Sequence, residues 1–178
     1  MVEFTTLEQT TLTQTVVLAA GSNYFSTYVD VSLDDLKAAL VATGNTTISI
    51  KSRTQNTSYN PGNGRWTGRL TWDLANMYII NVGEACEITL EGMPVDPAEH
   101  PIIIKNGSNY IAFPLDETMS VTNAFAGFAV NGDVIKSRNG SSSYIRGRWN
   151  GNVQNLAPGQ GYIYVSGQAE DRTLVFPQ

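Results

Sequence analysis

The sequence predicts a mainly β fold, a β-rich α+β chain of two tandem pseudo-repeats. Each repeat is expected to be a small bent sheet or barrel-like unit of about six strands with one covering helix. Three observations carry this. First, one block occurs twice: Ile50-Lys51-Ser52-Arg53, Ser58-Tyr59, Gly64-Arg65-Trp66-Thr67-Gly68 and Met77–Val82 return as Ile135-Lys136-Ser137-Arg138, Ser143-Tyr144, Gly147-Arg148-Trp149-Asn150-Gly151 and Gly161–Val165. Second, charged residues make up 15% of the chain, against about 25% in typical domains. Gly, Thr, Ser, Asn and Tyr are plentiful, which suits short strands and polar turns. Third, apolar residues alternate at period two, except for one stretch per copy with helical spacing.

Taken in order, Thr5–Thr15 reads as a polar strand or arm, and Val16–Ala20 as a short apolar strand stopped by Gly21-Ser22-Asn23. Tyr24–Val29 is the next strand, with Phe25, Thr27 and Val29 on one face. The period then changes. Leu33, Leu36 and Leu40 fall on one helical stripe, Ser32 can cap it, Asp34 and Asp35 suit its positive end, and Gly44 can stop it. Those acids lack the Gly and distal Glu of a calcium loop. Ile48–Arg53 alternates, with Ile48, Ile50 and Ser52 inward. Gln55–Gly64 reads as a loop turning at Asn60-Pro61-Gly62-Asn63-Gly64. Strands near Arg65–Leu70, Met77–Val82 and Cys86–Leu90 complete the copy.

The repeat boundaries are residues 1–93 and 102–178, joined by a short proline-rich hinge at 94–101 that is stiff enough to hold the halves together as one rigid unit. In the second copy Pro101–Lys105 repeats the first strand, and Gly107-Ser108-Asn109-Tyr110 repeats Gly21-Ser22-Asn23-Tyr24 unchanged. Ile111, Phe113 and Leu115 take the core face. Ser120–Val130 is the expected second helix, with Val121, Ala124, Phe125 and Phe128 inward. Leu156-Ala157-Pro158-Gly159-Gln160-Gly161 turns into Tyr162–Val165, and Thr173–Pro177 closes the copy.

Composition excludes several classes. The net charge is −5 with no basic block, so a nucleic-acid footprint is not expected. One cysteine, Cys86, and one histidine, His100, exclude an intrachain disulfide and metal sites built from several His or Cys. Cys86 lacks a neighbouring base and reads as an inert buried thiol. His100 reads as a solvated hinge residue. Pro158-Gly159-Gln160-Gly161 runs into a strand and lacks Lys-Ser/Thr, so it is no phosphate loop. Four Asn-x-Ser/Thr triplets, at Asn45, Asn56, Asn106 and Asn139, are explained by turn chemistry. No apolar run approaches the ~20 residues of a membrane span. The N-terminus lacks a signal-peptide pattern and runs almost directly into structured sequence, so a larger parent chain is expected.

The ordered pattern Gly-x-Asn-aromatic, capped helix, Ile-Lys-Ser, Tyr, Gly-x-Trp-x-Gly, Leu-x-Pro-Gly-x-Gly-Tyr resembles a tandem C-terminal repeat module of secreted and surface proteins of Bacteroidetes-type bacteria. The resemblance covers nearly the whole chain after about Thr13. Ser22 and Ser108 stand where that pattern has Trp, and Ala75-Asn76 replaces the Pro-Gly turn in copy one. The resemblance implies an extracellular or cell-surface accessory module and no catalytic residues.

The expected function is therefore a non-catalytic structural or adhesive module, with neither enzyme activity nor cofactor. The alternative is a carbohydrate-binding module, whose partner would be a glycan, as against another surface protein. Exposed aromatics such as Trp72, Tyr144 and Tyr164 would stack on sugar rings while Arg138 and Asn side chains hydrogen-bond. Trp66 and Trp149, alike in both copies, read as mostly buried core, with ligand platforms the second reading. Trp72 has no aromatic counterpart, which makes it the better candidate for an exposed contact. Paired acids such as Asp116 and Glu117 have no fixed separation that would make them an acid–base pair.

Overall fold

The structure is a computed structural model that describes residues 10–178. The part of the Thr5–Thr15 arm before residue 10 lies outside the described residues.

In the first half the strands are β1 (Leu12–Leu18), β2 (Gly21–Phe25) and β3 (Val29–Asp30), then helix α1 (Leu33–Ala42), β4 (Ile48–Lys51), β5 (Asn56–Asn60), β6 (Arg65–Arg69), β7 (Tyr78–Val82) and β8 (Cys86–Pro94). The second half contains β9 (Ile102–Ile104), β10 (Gly107–Ile111), β11 (Met119–Ser120), helix α2 (Val121–Ala124), β12 (Val134–Ser137), β13 (Gly140–Ile145), β14 (Arg148–Gly151), β15 (Asn155–Leu156), β16 (Tyr162–Ser166) and β17 (Arg172–Leu174). The fold is mainly β, and its antiparallel sheets do not close into a barrel.

Each half holds a five-stranded sheet of the same order: β2-β7-β4-β5-β6 in the first and β10-β16-β12-β13-β14 in the second. The registers agree pair for pair. Ile50 faces Ile80 and Thr57, as Ile135 faces Tyr164 and Ser142. Tyr59 faces Trp66, as Tyr144 faces Trp149. The first strand of each half pairs with its last, β1 with β8 and β9 with β17.

The shared Gly-Ser-Asn-Tyr explains the corner between these sheets. Gly21 and Gly107 take φ of 89° and 90°, a conformation that only glycine enters without steric cost. The following Asn then braces the bend. Asn23 Nδ2 donates to the Ala19 carbonyl at 2.8 Å, and its Oδ1 accepts the Ala19 N–H at 3.0 Å. Asn109 makes the same pair of bonds with Lys105, at 2.8 and 2.9 Å.

The first helix forms as its sequence dictates, with Ser32 and Asp35 in a capping box and Leu36 and Leu40 buried. The second does not. Expected over Ser120–Val130, it stops at Ala124, and Gly127 takes φ of 70°. Two side chains, one on the last strand and one in the turn before β12, capture the backbone that would have continued it. Arg172 Nη1 donates to the Phe128 carbonyl at 2.8 Å, and Asp133 Oδ2 accepts the Val130 N–H at 3.0 Å. Two smaller corrections concern the first half. Half of the expected Gln55–Gly64 loop is strand β5, and the expected Tyr24–Val29 strand breaks after Phe25. The break is stabilised by Gln14, buried in the supposed arm, whose Oε1 accepts from Thr27 Oγ1 at 2.8 Å and Tyr28 N–H at 2.9 Å. The corresponding Ala112-Phe113-Pro114 of copy two has no hydroxyl or Pro N–H to satisfy.

The halves meet reciprocally. Ser26 N–H donates to the Gly159 carbonyl at 3.2 Å, and its counterpart Ala112 N–H donates to the Ala75 carbonyl at 3.0 Å. Each half thus uses the other's turn to satisfy the backbone beyond its second strand, the pattern of a two-fold isologous interface. Near this pseudo-axis equivalent residues confront each other, and they differ. A Cβ on Gly161 would lie 2.1 Å from Met77 Cγ, and Met77 is the counterpart of Gly161. One position supplies the knob and the other the hole. Gly161→Ala should therefore cost about 1–3 kcal/mol by overpacking, measured by urea unfolding. The cost should shrink sharply in a Met77→Ala background; an equal cost in both backgrounds would show that Met77 is not the obstacle.

Candidate functional site

The sequence-predicted binding residues do not converge on one site. Tyr164 is fully buried, so the expectation of an exposed platform there is wrong. Its ring packs against Phe125 and Phe128 at centroid distances of 5.0 and 5.7 Å. Trp72 also departs from expectation. It is half-buried, its Nε1 donates to the Val31 carbonyl at 2.8 Å, and its ring stacks on Tyr78 at 4.6 Å. It serves as a strut between the loop before β7 and the start of α1, with one edge on a hollow shared with Asp30, Asp73 and His100. Arg138 is exposed and donates across the seam to Asn23 Oδ1 at 3.2 Å.

Trp66 and Trp149 are half-buried and each sits beside its cross-strand tyrosine, at 5.6 Å from Tyr59 and 5.2 Å from Tyr144. What covers them differs. The two N-caps, Ser32 and Ser120, align Lys37 with Phe125. Phe125 closes over Trp149 at 5.6 Å, whereas the Lys37 ammonium lies 5.3 Å above the Trp66 ring. A cation over an indole face is attracted by the ring quadrupole yet leaves the site wet. In the first half a groove of about 630 Å3 consequently remains, lined by Asp34, Lys37, Val41, Tyr59 and Trp66. The groove follows from two differences between the copies, Lys37 in place of Phe125 and the longer α1, which supplies Val41.

A second polar feature was not legible in the sequence. Asp133, fully buried, pairs with Arg172 Nη2 at 2.9 Å and accepts from the Tyr164 hydroxyl at 2.6 Å. Ser166 Oγ accepts from the same guanidinium at 2.9 Å. The registers place Ile48, Ile80, Val82 and Cys86 at these four positions in copy one. All four positions differ in polarity together, as a buried charge requires. Arg172 also lies over the Phe128 ring at 4.5 Å and holds that residue's carbonyl. The network is therefore a structural substitute for the missing helical turns.

A third feature is a more enclosed cleft of about 470 Å3 at the seam, where the Ser52–Gln55 turn and the Asp73–Met77 turn of the first half face Ile103 and Tyr110 of the second. Among the described residues no cluster of three or more His, Cys, Asp or Glu is placed to hold a metal, and no helix is long and apolar enough to cross a membrane. Cys86 is half-buried. Comparison with family models, curated proteins and solved structures gives no match to this chain.

Two outcomes are expected. Arg172→Met strands the Asp133 carboxylate and should cost about 3–5 kcal/mol, while adding Asp133→Asn, which removes the stranded charge and keeps an acceptor, should recover part of it. Chemical unfolding of both variants is the measurement. The second concerns alkaline stability. Burial pushes Tyr78 up to about 12, and burial with the Asp133 carboxylate raises Tyr164 further; burial also raises Tyr162. Unfolded tyrosines ionise near 10. The stability these neutral phenols contribute is complete below about pH 10 and, for Tyr78, is lost as pH rises toward about 12. Absorbance titration at alkaline pH should show these tyrosines ionising with unfolding; early, independent ionisation would contradict it.

Proposed function

We propose that this chain is a non-catalytic structural or adhesive module of a larger secreted or surface protein. One observation carries the reading: what the two copies share is bracing and packing. The Asn23 and Asn109 corners, the tyrosine–tryptophan pairs and the hydroxyls of Tyr78 and Tyr162 recur. Each of these hydroxyls accepts at 2.7 Å the N–H five residues upstream. Groups retained through duplication for chemistry would instead be titratable side chains gathered in a cleft. A module that transmits force or spaces other domains needs its halves joined, and the reciprocal seam hydrogen bonds support that role.

A second reading, carbohydrate binding, is favoured by the open Tyr59–Trp66 groove. Half-exposed aromatic faces flanked by Asp34 and Lys37 suit the apolar face and hydroxyl rim of a sugar ring. A glycan array with the isolated protein separates the two. Silence across the array, with a single calorimetric unfolding transition, is expected of the structural module; two separate transitions would contradict the rigid pair. Saturable binding abolished by Trp66→Ala and retained by Trp149→Ala would establish the second reading at that groove.

A further inference from the structure

The seam cleft lies apart from the Trp66 groove, and two of its polar groups, Gln55 and Asp73, have no polar counterpart across the pseudo-axis. We propose that it is a binding site for a neutral saccharide, an inference that rests on the carbohydrate-binding reading and places a site where the aromatic motifs do not.

The first argument is the unused hydrogen-bonding capacity along its wall. Arg53 Nη1 donates across the seam to the Ser108 carbonyl at 2.8 Å, and its other nitrogens carry no partner among the described residues. Gln55 Oε1 accepts the Thr71 N–H at 2.7 Å, which leaves its amide nitrogen free. Asp73 Oδ1 accepts the Ala75 N–H at 2.9 Å, which leaves Oδ2 free. The Tyr110 hydroxyl has no protein partner among the described residues, and Asn76 presents an exposed carboxamide. Donors and acceptors are therefore mixed around one cleft. A sugar hydroxyl both donates and accepts, so a mixed wall suits vicinal hydroxyls better than an anion or a cation would.

The second argument is charge and shape. Arg53 and Asp73 are the two charged residues of the lining and are of opposite sign, so the wall carries no net charge. Ile103, exposed on β9, and the Tyr110 ring add apolar surface for the C–H face of a pyranose. A volume of about 470 Å3 lies within the roughly 300–1,000 Å3 of small-molecule sites, which favour interfaces between units.

The third argument is the comparison of the copies. The strand registers and the turn hydrogen bonds align Gln55 with Gly140 and Asp73 with Ala157. The opposite side of the seam keeps the arginine, Arg138, and loses those two polar groups. Arg138, Tyr24 and Gln160 stand opposite Arg53, Tyr110 and Asn76, while Gln55 and Asp73 are confined to one side, so these two polar groups are not needed merely to join the halves.

The test uses the full chain labelled with 15N, titrated with neutral tetrasaccharides of β-glucan, xylan, mannan and chitin types, and with tetragalacturonate. At least one neutral probe should saturably shift the amides of Thr54, Asn76, Ile103 and Tyr110. Asn76→Ala and Tyr110→Ala should each weaken that binding by about tenfold or more, and Trp66→Ala should leave it unchanged. If Tyr110→Ala fails to fold, Asn76→Ala and the wild-type shift map still decide. Shifts confined to the Trp66 groove would overturn the seam site while preserving carbohydrate binding. Silence with every probe would overturn both. Response to tetragalacturonate alone would overturn the neutral-ligand assignment.

Discussion

The structure depends on a constraint at the end of β2 and β10: the backbone there turns away from its own sheet with an N–H still to satisfy. A buried N–H without a partner costs about 1–3 kcal/mol, and each half finds its partner in the other half's turn. Ser26 reaches Gly159 and Ala112 reaches Ala75. Ser26 Oγ adds a bond to the Gln160 carbonyl at 2.6 Å and accepts the Phe113 N–H at 3.0 Å. Neither half is complete alone in this respect. The seam cleft is a consequence, because it lies where two turns are held against the neighbouring strands.

Duplication gives the molecule two of everything, and its individuality comes from the places where the copies part. Met77 faces Gly161 because two identical large side chains cannot share a pseudo-axis. Lys37 and Phe125 occupy one site and decide whether the half-buried tryptophan beneath meets a cation or another ring. The Asp133–Arg172 pair replaces an apolar set and takes over hydrogen bonds from a helix that ends early. Each divergence is local, yet each needs compensating residues from distant strands, since charge and volume in a packed interior must balance.

The sequence by itself determined the duplication, the β-rich class, the first helix with its cap, and the inward face of most strands. These follow from spacing, propensity and glycine conformations, which are local properties. The Gly-Ser-Asn corners belong here too, since glycine's access to positive φ is written in the residue itself. Tertiary structure decided the rest. Ser120–Val130 has helical spacing, but Arg172 competes for its backbone from a strand 44 residues away, which sequence distance conceals, and Asp133 joins it from the following turn. Trp72 looked free because it has no aromatic counterpart, yet its indole N–H found Val31, 41 residues away. Tyr164 looked like a platform because tyrosine tolerates exposure, but its register beside Ile135 turned it inward. The seam cleft had no motif at all: Arg53, Gln55, Asp73 and Tyr110 come together only when two halves dock, and docking is a long-range event no local pattern encodes.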